Sequence, residues 1–180
     1  KLISPYGTVV DLAVSSSFGG AYSLSATVFD DEASTTIGSG SAPYMGSFQP
    51  DGNLSDFDQE SMTGTWQLWV YSSTNESYNN LSITSWSITV EYNSSTPSDP
   101  PTTSGTTYDG SSFTSSLAGV TTSDLVISDA GTILDINVEL NATGQYTNAL
   151  SLRDFKLISP YGTVVDLAVS SSFSGAYSLS

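Results

Sequence analysis

From Thr132 to Leu140 the chain alternates. Leu134, Ile136, Val138 and Leu140 point one way, and Asp135, Asn137 and Glu139 point the other, which predicts a half-buried strand. The same period of two runs through Leu81–Tyr92, where Trp86, Ile88, Val90 and Tyr92 alternate with Ser85, Ser87, Thr89 and Glu91. It recurs where Tyr22, Leu24, Ala26 and Val28 alternate with Ser23, Ser25 and Thr27. Trp66, Leu68 and Val70 share one face of a further strand, with Trp69 and Tyr71 on the other, and Asp124–Ile127 predicts a short one. Leu2-Ile3 and Val9-Val10 flank Ser4-Pro5-Tyr6-Gly7-Thr8, a Pro/Gly turn that predicts a hairpin. The stretch 37–58 reads as a long loop, pinned to the core by Tyr44, Met45, Phe48, Leu54 and Phe57. Asn93–Thr107 holds Pro97, Pro100 and Pro101 and no large apolar side chain, so a semi-extended linker is expected there.

One segment occurs twice. Residues 1–25 and 156–180 are identical except for Gly19 against Ser174, an offset of 155 residues from Lys1 to Lys156. Such identity does not arise from composition, and the expected organisation is a tandem array with that period, entered in the middle of a unit. On this reading residues 1–93 supply the later strands of one unit, 94–107 are the linker, and 108–180 supply the early strands of the next. Neither part buries its strand faces alone. The strand at Leu134–Leu140 is therefore expected to complete a sandwich with Trp66–Val70 and Trp86–Tyr92 equivalents of the following unit. Neighbouring copies would then meet head to tail, in a contact that propagates as a filament.

Composition narrows the partners. The net charge is −15, with only Lys1, Arg153 and Lys156 as basic side chains. A phosphate-backbone binder needs basic surface, so nucleic acid is excluded, and an anionic membrane surface would repel the chain. No apolar run approaches the ~18 residues of a membrane span. Ser, Thr, Gly and Asn are abundant, helix formers are sparse, and ten Tyr, seven Phe and three Trp supply core mass. Many short strands with turn-rich loops follow. The absence of His and Cys removes His-based triads, Cys nucleophiles and the usual zinc sites, so no enzymatic role is expected.

Taken in repeat order, 108–155, then 156–180, then the segment matching 26–93, the unit resembles the P domain (P/Homo B domain). That domain follows the catalytic domain of subtilisin-like proprotein convertases and occurs in bacterial secreted proteins. The resemblance is carried by ILDINVEL, LRDFKLISPYGT, TVFDDEA, SAPYMGSFQPDGNLSDF, MTGTWQLWV and LSITSWSITVEY, in that order. It implies a jelly-roll-type β-sandwich in an extracellular or cell-surface setting, without protease chemistry of its own. Family members bind calcium in this domain, and the resemblance implies calcium at Asp30 and Asp31. The chain departs from the family in two places. NATGQYTNALSLRD lacks the histidine often found before the strand-turn motif, and Tyr71-Ser72 stands where an Asp often follows the Trp66–Val70 strand.

The residues offer their own chemistry beside this resemblance. Asp30, Asp31 and Glu32 place three carboxylates at a strand exit, the hard oxygen ligands that calcium takes. Consecutive Asp residues also cap turns by accepting backbone N–H bonds, which is the competing role. Asp51, Asp56, Asp58 and Glu60 form a second acidic group. Trp66, Trp69 and Trp86 would form a carbohydrate platform if exposed, with Trp69 the one whose strand face differs from that of Trp66. Sequons at Asn53, Asn75, Asn80, Asn93 and Asn141 are candidate glycosylation sites. The expected function is a non-catalytic structural or adhesive repeat protein that forms a stalk, fibre or surface filament. The alternatives are an accessory domain that stabilises or targets a secreted subtilisin-like protease, and a carbohydrate-binding module.

Overall fold

A computed structural model of the chain describes residues 1–13, 23–72, 80–94, 102–115, 118–144 and 153–155. In chain order the strands among them are β1 (Leu2–Ile3), β2 (Val9–Val10), β3 (Ser23–Phe29), β4 (Gly46–Phe48), β5 (Gly64–Ser72), β6 (Leu81–Ser94), β7 (Thr102–Gly110), β8 (Phe113–Ser115), β9 (Gly119–Ile127), β10 (Thr132–Gly144) and β11 (Arg153–Phe155). They form two sheets around one core, an all-β sandwich.

In the first sheet β5 is central. It pairs along its whole length with β9, from Gly64↔Ile127 to Ser72↔Gly119. Its other edge is shared end to end by β1 and β11, and β2 lies beyond β1. The Ser4-Pro5-Tyr6-Gly7 turn closes the β1–β2 hairpin, with Gly7 N donating to Ser4 O at 3.0 Å. Gly7 takes the positive φ that the turn requires. In the second sheet β10 lies between β6 and β3, β4 runs parallel to β3, and β7 and β8 share the far edge of β6. Trp66, Leu68 and Val70 of β5 join Trp86, Ile88 and Val90 of β6 and Ile136, Val138 and Leu140 of β10 in the core, as alternation predicts. Trp86 ties the layers together: its Nε1 donates to Ser123 Oγ on β9 at 3.1 Å.

Three features differ from the sequence reading. The first is that β10 pairs with β6 of its own chain, from Thr132↔Asn93 to Gly144↔Leu81, so a single chain closes the sandwich without strands from a following unit. The second concerns the expected linker, whose residues 102–107 belong to β7, paired with β6 from Ser94↔Thr102 to Trp86↔Gly110. A strand of Ser, Thr and Gly on a sheet edge buries little and gives no hydrophobic period, yet Thr favours extended backbone. β7 thus joins the parts assigned to separate units.

The third is a set of phase slips. Leu134 has no partner between Ile133↔Tyr92 and Asp135↔Glu91, so Ile133 rather than Leu134 is fully buried. In β3 the pairing jumps from Leu140↔Thr27 to Ala142↔Leu24, and Ala26 takes φ 45°. Thr27 therefore points inward, its hydroxyl donating to Tyr44 O at 2.6 Å, and Ala26 points outward. In β6 the pairing jumps from Asn141↔Ser85 to Ala142↔Ile83. Each is a bulge, in which two residues oppose one. Of the loop's expected anchors Tyr44, Phe48, Leu54 and Phe57 are buried, whereas Met45 is 69% exposed.

Candidate functional site: the acidic turn after β3

The acidic triplet begins where β3 leaves its sheet. Asp30 N donates to Phe48 O at 3.0 Å, which keeps the turn against β4. Asp30 Oδ1 then accepts Glu32 N at 2.8 Å, and Ala33 N donates to Asp30 O at 3.2 Å, so Asp30 builds an Asx turn on itself. Asp31 reaches a different part of the chain. Its Oδ1 accepts Leu54 N at 3.0 Å and its Oδ2 accepts Ser55 N at 2.9 Å. These N–H groups open the 3-10 turn Leu54–Phe57, whose preceding residue, Asn53, makes no capping bond with its side chain. Asp31 caps that turn from a distance, satisfying donors that the turn itself leaves unpaired. Gln49 Nε2 adds a bond to Asp31 O at 3.2 Å.

The surroundings are uniformly acidic. The Glu32 carboxyl is pushed above its usual range by its hydrogen bond with Asp30, then by burial and by Asp135. Asp135 is pushed up chiefly by burial, with Glu91, Asp30 and Asp58 adding repulsion. Asp58 is pushed up by burial and then by Asp31. Asp135 and Glu91 stand directly opposite each other on β10 and β6, two like charges in one cross-strand pair. Sequence reasoning had both as separate outward-facing strand residues and missed that the register joins them to the triplet. Of the second acidic group, Asp58 reaches this field. Glu60 turns to the β1–β2 hairpin and accepts the Thr8 hydroxyl, and burial raises its pKa.

Among the described residues no three His, Cys, Asp or Glu side chains converge closely enough to hold a metal ion. Three of the four carboxylate oxygens of Asp30 and Asp31 accept backbone N–H groups. As arranged, Asp30, Asp31 and Glu32 form an acidic turn that caps itself and the turn at Leu54–Phe57.

The tryptophans belong to the core. Trp66 Nε1 donates to Met62 O at 2.9 Å and its ring meets Phe57 edge-on at 5.2 Å. Trp69 stacks on Tyr71 at 6.0 Å and is only 4% exposed, which removes it as a sugar-binding platform. Of the sequons, Asn53 is exposed, Asn80 and Asn93 are half-buried, and Asn75 lies outside the described residues. Asn141 is held on three sides: Oδ1 accepts Ala26 N at 2.6 Å, while Nδ2 donates to Ser85 Oγ and to Glu139 Oε1, both at 3.1 Å. Two open depressions of about 440 and 400 Å³ lie beside Ser82 and Thr114, and among the described residues their lining offers hydroxyls, the Asn80 amide, Ile83 and Phe113 but no charged side chain.

Comparison with protein-family models, with curated proteins and with solved structures found no match. The class defined by these observations is an all-β sandwich with an acidic, internally capped turn.

Proposed function

We propose that the chain is a non-catalytic structural or adhesive module of an extracellular or cell-surface protein built from repeated β-sandwiches. The observation that carries this reading is a match of lengths. Strands from Leu2 to Phe155 make one sandwich, and the sequence repeats with a period of 155 residues. That spacing supports a reading of one sandwich per period. Near-identical copies suit a spacer, in which every unit does the same mechanical work, and suit a specialised site poorly. The P-domain-like motifs, taken in repeat order, support the same frame.

The acidic charge fits a solvated, mutually repelling coat that keeps successive units apart and soluble. Calcium enters the proposal as a charge partner of the turn at Asp30, Asp31 and Glu32, where any divalent cation would relieve repulsion. Among the described residues no helix is long and apolar enough to cross a membrane.

A chain carrying three periods in tandem tests the proposal. Small-angle scattering should show an elongated particle whose length grows by a constant step per period. The melting temperature should match that of the single sandwich. A compact three-period particle, or peptidase or glycosidase turnover abolished by one Asp or Glu substitution, would overturn it.

A further inference from the structure

The edge of β5 opposite β9 carries two short strands in line. β11 pairs as Arg153↔Ser72, Asp154↔Tyr71 and Phe155↔Val70. β1 pairs as Leu2↔Leu68 and Ile3↔Gln67. Between them Lys1 stands opposite Trp69, with Trp69 N donating to Lys1 O at 3.4 Å and Lys1 N to Trp69 O at 3.5 Å. Along β5, then, the partner of Val70 is Phe155 and the partners of Trp69, Leu68 and Gln67 are Lys1, Leu2 and Ile3. In the sequence, Phe155 is followed by Lys156, Leu157 and Ile158. The residues that would pair next if β11 simply ran on are the same three, in the same register.

The coincidence extends beyond the strand. The first copy fills its place with a buried ion pair, Lys1 Nζ to Asp11 Oδ1 at 3.1 Å, and with Leu2, Ile3 and Leu12, all fully buried. The second copy carries each of these as Lys156, Asp166, Leu157, Ile158 and Leu167, and repeats the turn as Ser159-Pro160-Tyr161-Gly162. The site is too closely packed to hold both copies. Exchange needs no new contact and no connecting loop at its near end, because Phe155 is already seated beside the vacated position. Each residue of one copy that leaves is replaced by the same residue of the other.

We infer that residues 1–13 and 156–168 are alternative occupants of one site along β5, and that the second copy of the same chain takes the site when the first leaves it. Residues 156–168 lie outside the described residues; the inference rests on the registers of β1 and β11 and on the duplicated sequence. It does not depend on the proposed extracellular role, and either can fail alone.

The full chain tests it through three variants: Leu2→Asp, Leu157→Asp, and both together. A charge at either position would be buried without a partner if its copy occupied the site. Each single variant should keep a cooperative melt within about 5 °C of the parent, since the intact copy fills the site. The double variant should fall by more than about 15 °C or lose its cooperative transition. Sedimentation should find Leu2→Asp monomeric, with a melting temperature independent of concentration. Three outcomes would overturn the inference. In the first, Leu2→Asp is as damaging as the double variant, which makes the first copy obligatory. In the second, the double variant is as stable as the singles. In the third, Leu2→Asp forms concentration-dependent oligomers, which assigns the site to a copy from another chain.

Discussion

A β-carbon on Gly110 would lie 2.0 Å from Cε2 of Trp86, inside the indole ring. Gly110 sits opposite Trp86 across the β6–β7 pair, and the ring occupies the space where a side chain would stand. Trp86 cannot retreat without leaving Ser123 Oγ and Ser111 O, the acceptors of its Nε1. Gly110→Ala should therefore cost about 1–3 kcal/mol through overpacking. Gly105, on the same strand, is the control. A β-carbon there meets nothing closer than Glu91 Cγ at 4.0 Å. Gly105→Ala should leave stability within about 0.5 kcal/mol of the parent. Denaturant titrations that gave the two variants equal stability would show that Trp86 is not packed this way.

Asp31 ties the acidic turn to the turn at Leu54–Phe57, so its loss should be felt without any ligand. Removing its carboxylate orphans the N–H groups of Leu54 and Ser55, and Asp31→Ala should cost about 0.5–2 kcal/mol. The cost should be the same in calcium and in chelator. For the parent chain, calcium and magnesium at equal ionic strength should raise the melting temperature equally, as expected of charge relief at an acidic turn. A rise confined to calcium and abolished by Asp31→Ala would instead support the specific calcium site that the P-domain resemblance implies.

The acidic field gives stability an unusual slope with pH. Glu32, Asp58 and Asp135 all have pKa values raised in the folded chain. A raised carboxyl binds its proton more readily folded than unfolded. Its contribution is complete below the unfolded pKa and is lost as pH rises through the folded pKa. As far as these groups are concerned, stability should rise as pH falls from about 7 into the ordinary carboxylate range, then level off. Asp135→Asn should flatten the slope and raise the melting temperature at neutral pH. A melting temperature that fell steadily over that range, with Asp135→Asn parallel to the parent, would contradict the assignment.

Glycan occupancy should separate the sequons. Asn53 is exposed and its side chain makes no capping bond. The Nδ2 of Asn141 donates to both Ser85 and Glu139, and a glycan would take the place of one of its hydrogens. Expressed in a glycosylating host, the folded chain should carry sugar at Asn53 and none at Asn141, as read by peptide mass spectrometry. The reverse pattern would mean that the Asn141 network forms only after modification or not at all.

The parts of the fold legible in the sequence were those in which burial alternates without interruption. The Trp86–Val90 portion of β6 follows the apolar pattern residue by residue, β5 follows it except at Trp69, which is buried on the opposite face, and the β1–β2 hairpin follows its Pro/Gly turn. β7 was not legible, because an edge strand of Ser, Thr and Gly has no apolar face to betray it. Leu134 was assigned to the core because a strict period of two demanded it; one unpaired residue moved that role to Ile133. The acidic turn was visible as three consecutive carboxylates, but its neighbours were not. Asp135 and Glu91 become part of it only through cross-strand register, which a single sequence does not print. The capping role of Asp31 was anticipated as one of two, and its partners, 23 and 24 residues away, were beyond local reading.

The bulges at Ala26 in β3 and Thr84 in β6 stand at one height in the sheet, on either side of Asn141 in β10, which runs straight between them. They work as a single expansion joint. Above and below it the inward and outward positions follow opposite parity in β3 and in β6, so the strands stay matched only because they change parity together. Straightening one strand by deleting its extra residue would turn half of that strand inside out against partners that had not moved. The two slips are therefore heritable only as a pair. A chain of this architecture should be recognisable by parity changes at matching heights in the two strands that flank an unbroken one, even where no residue in them has been kept.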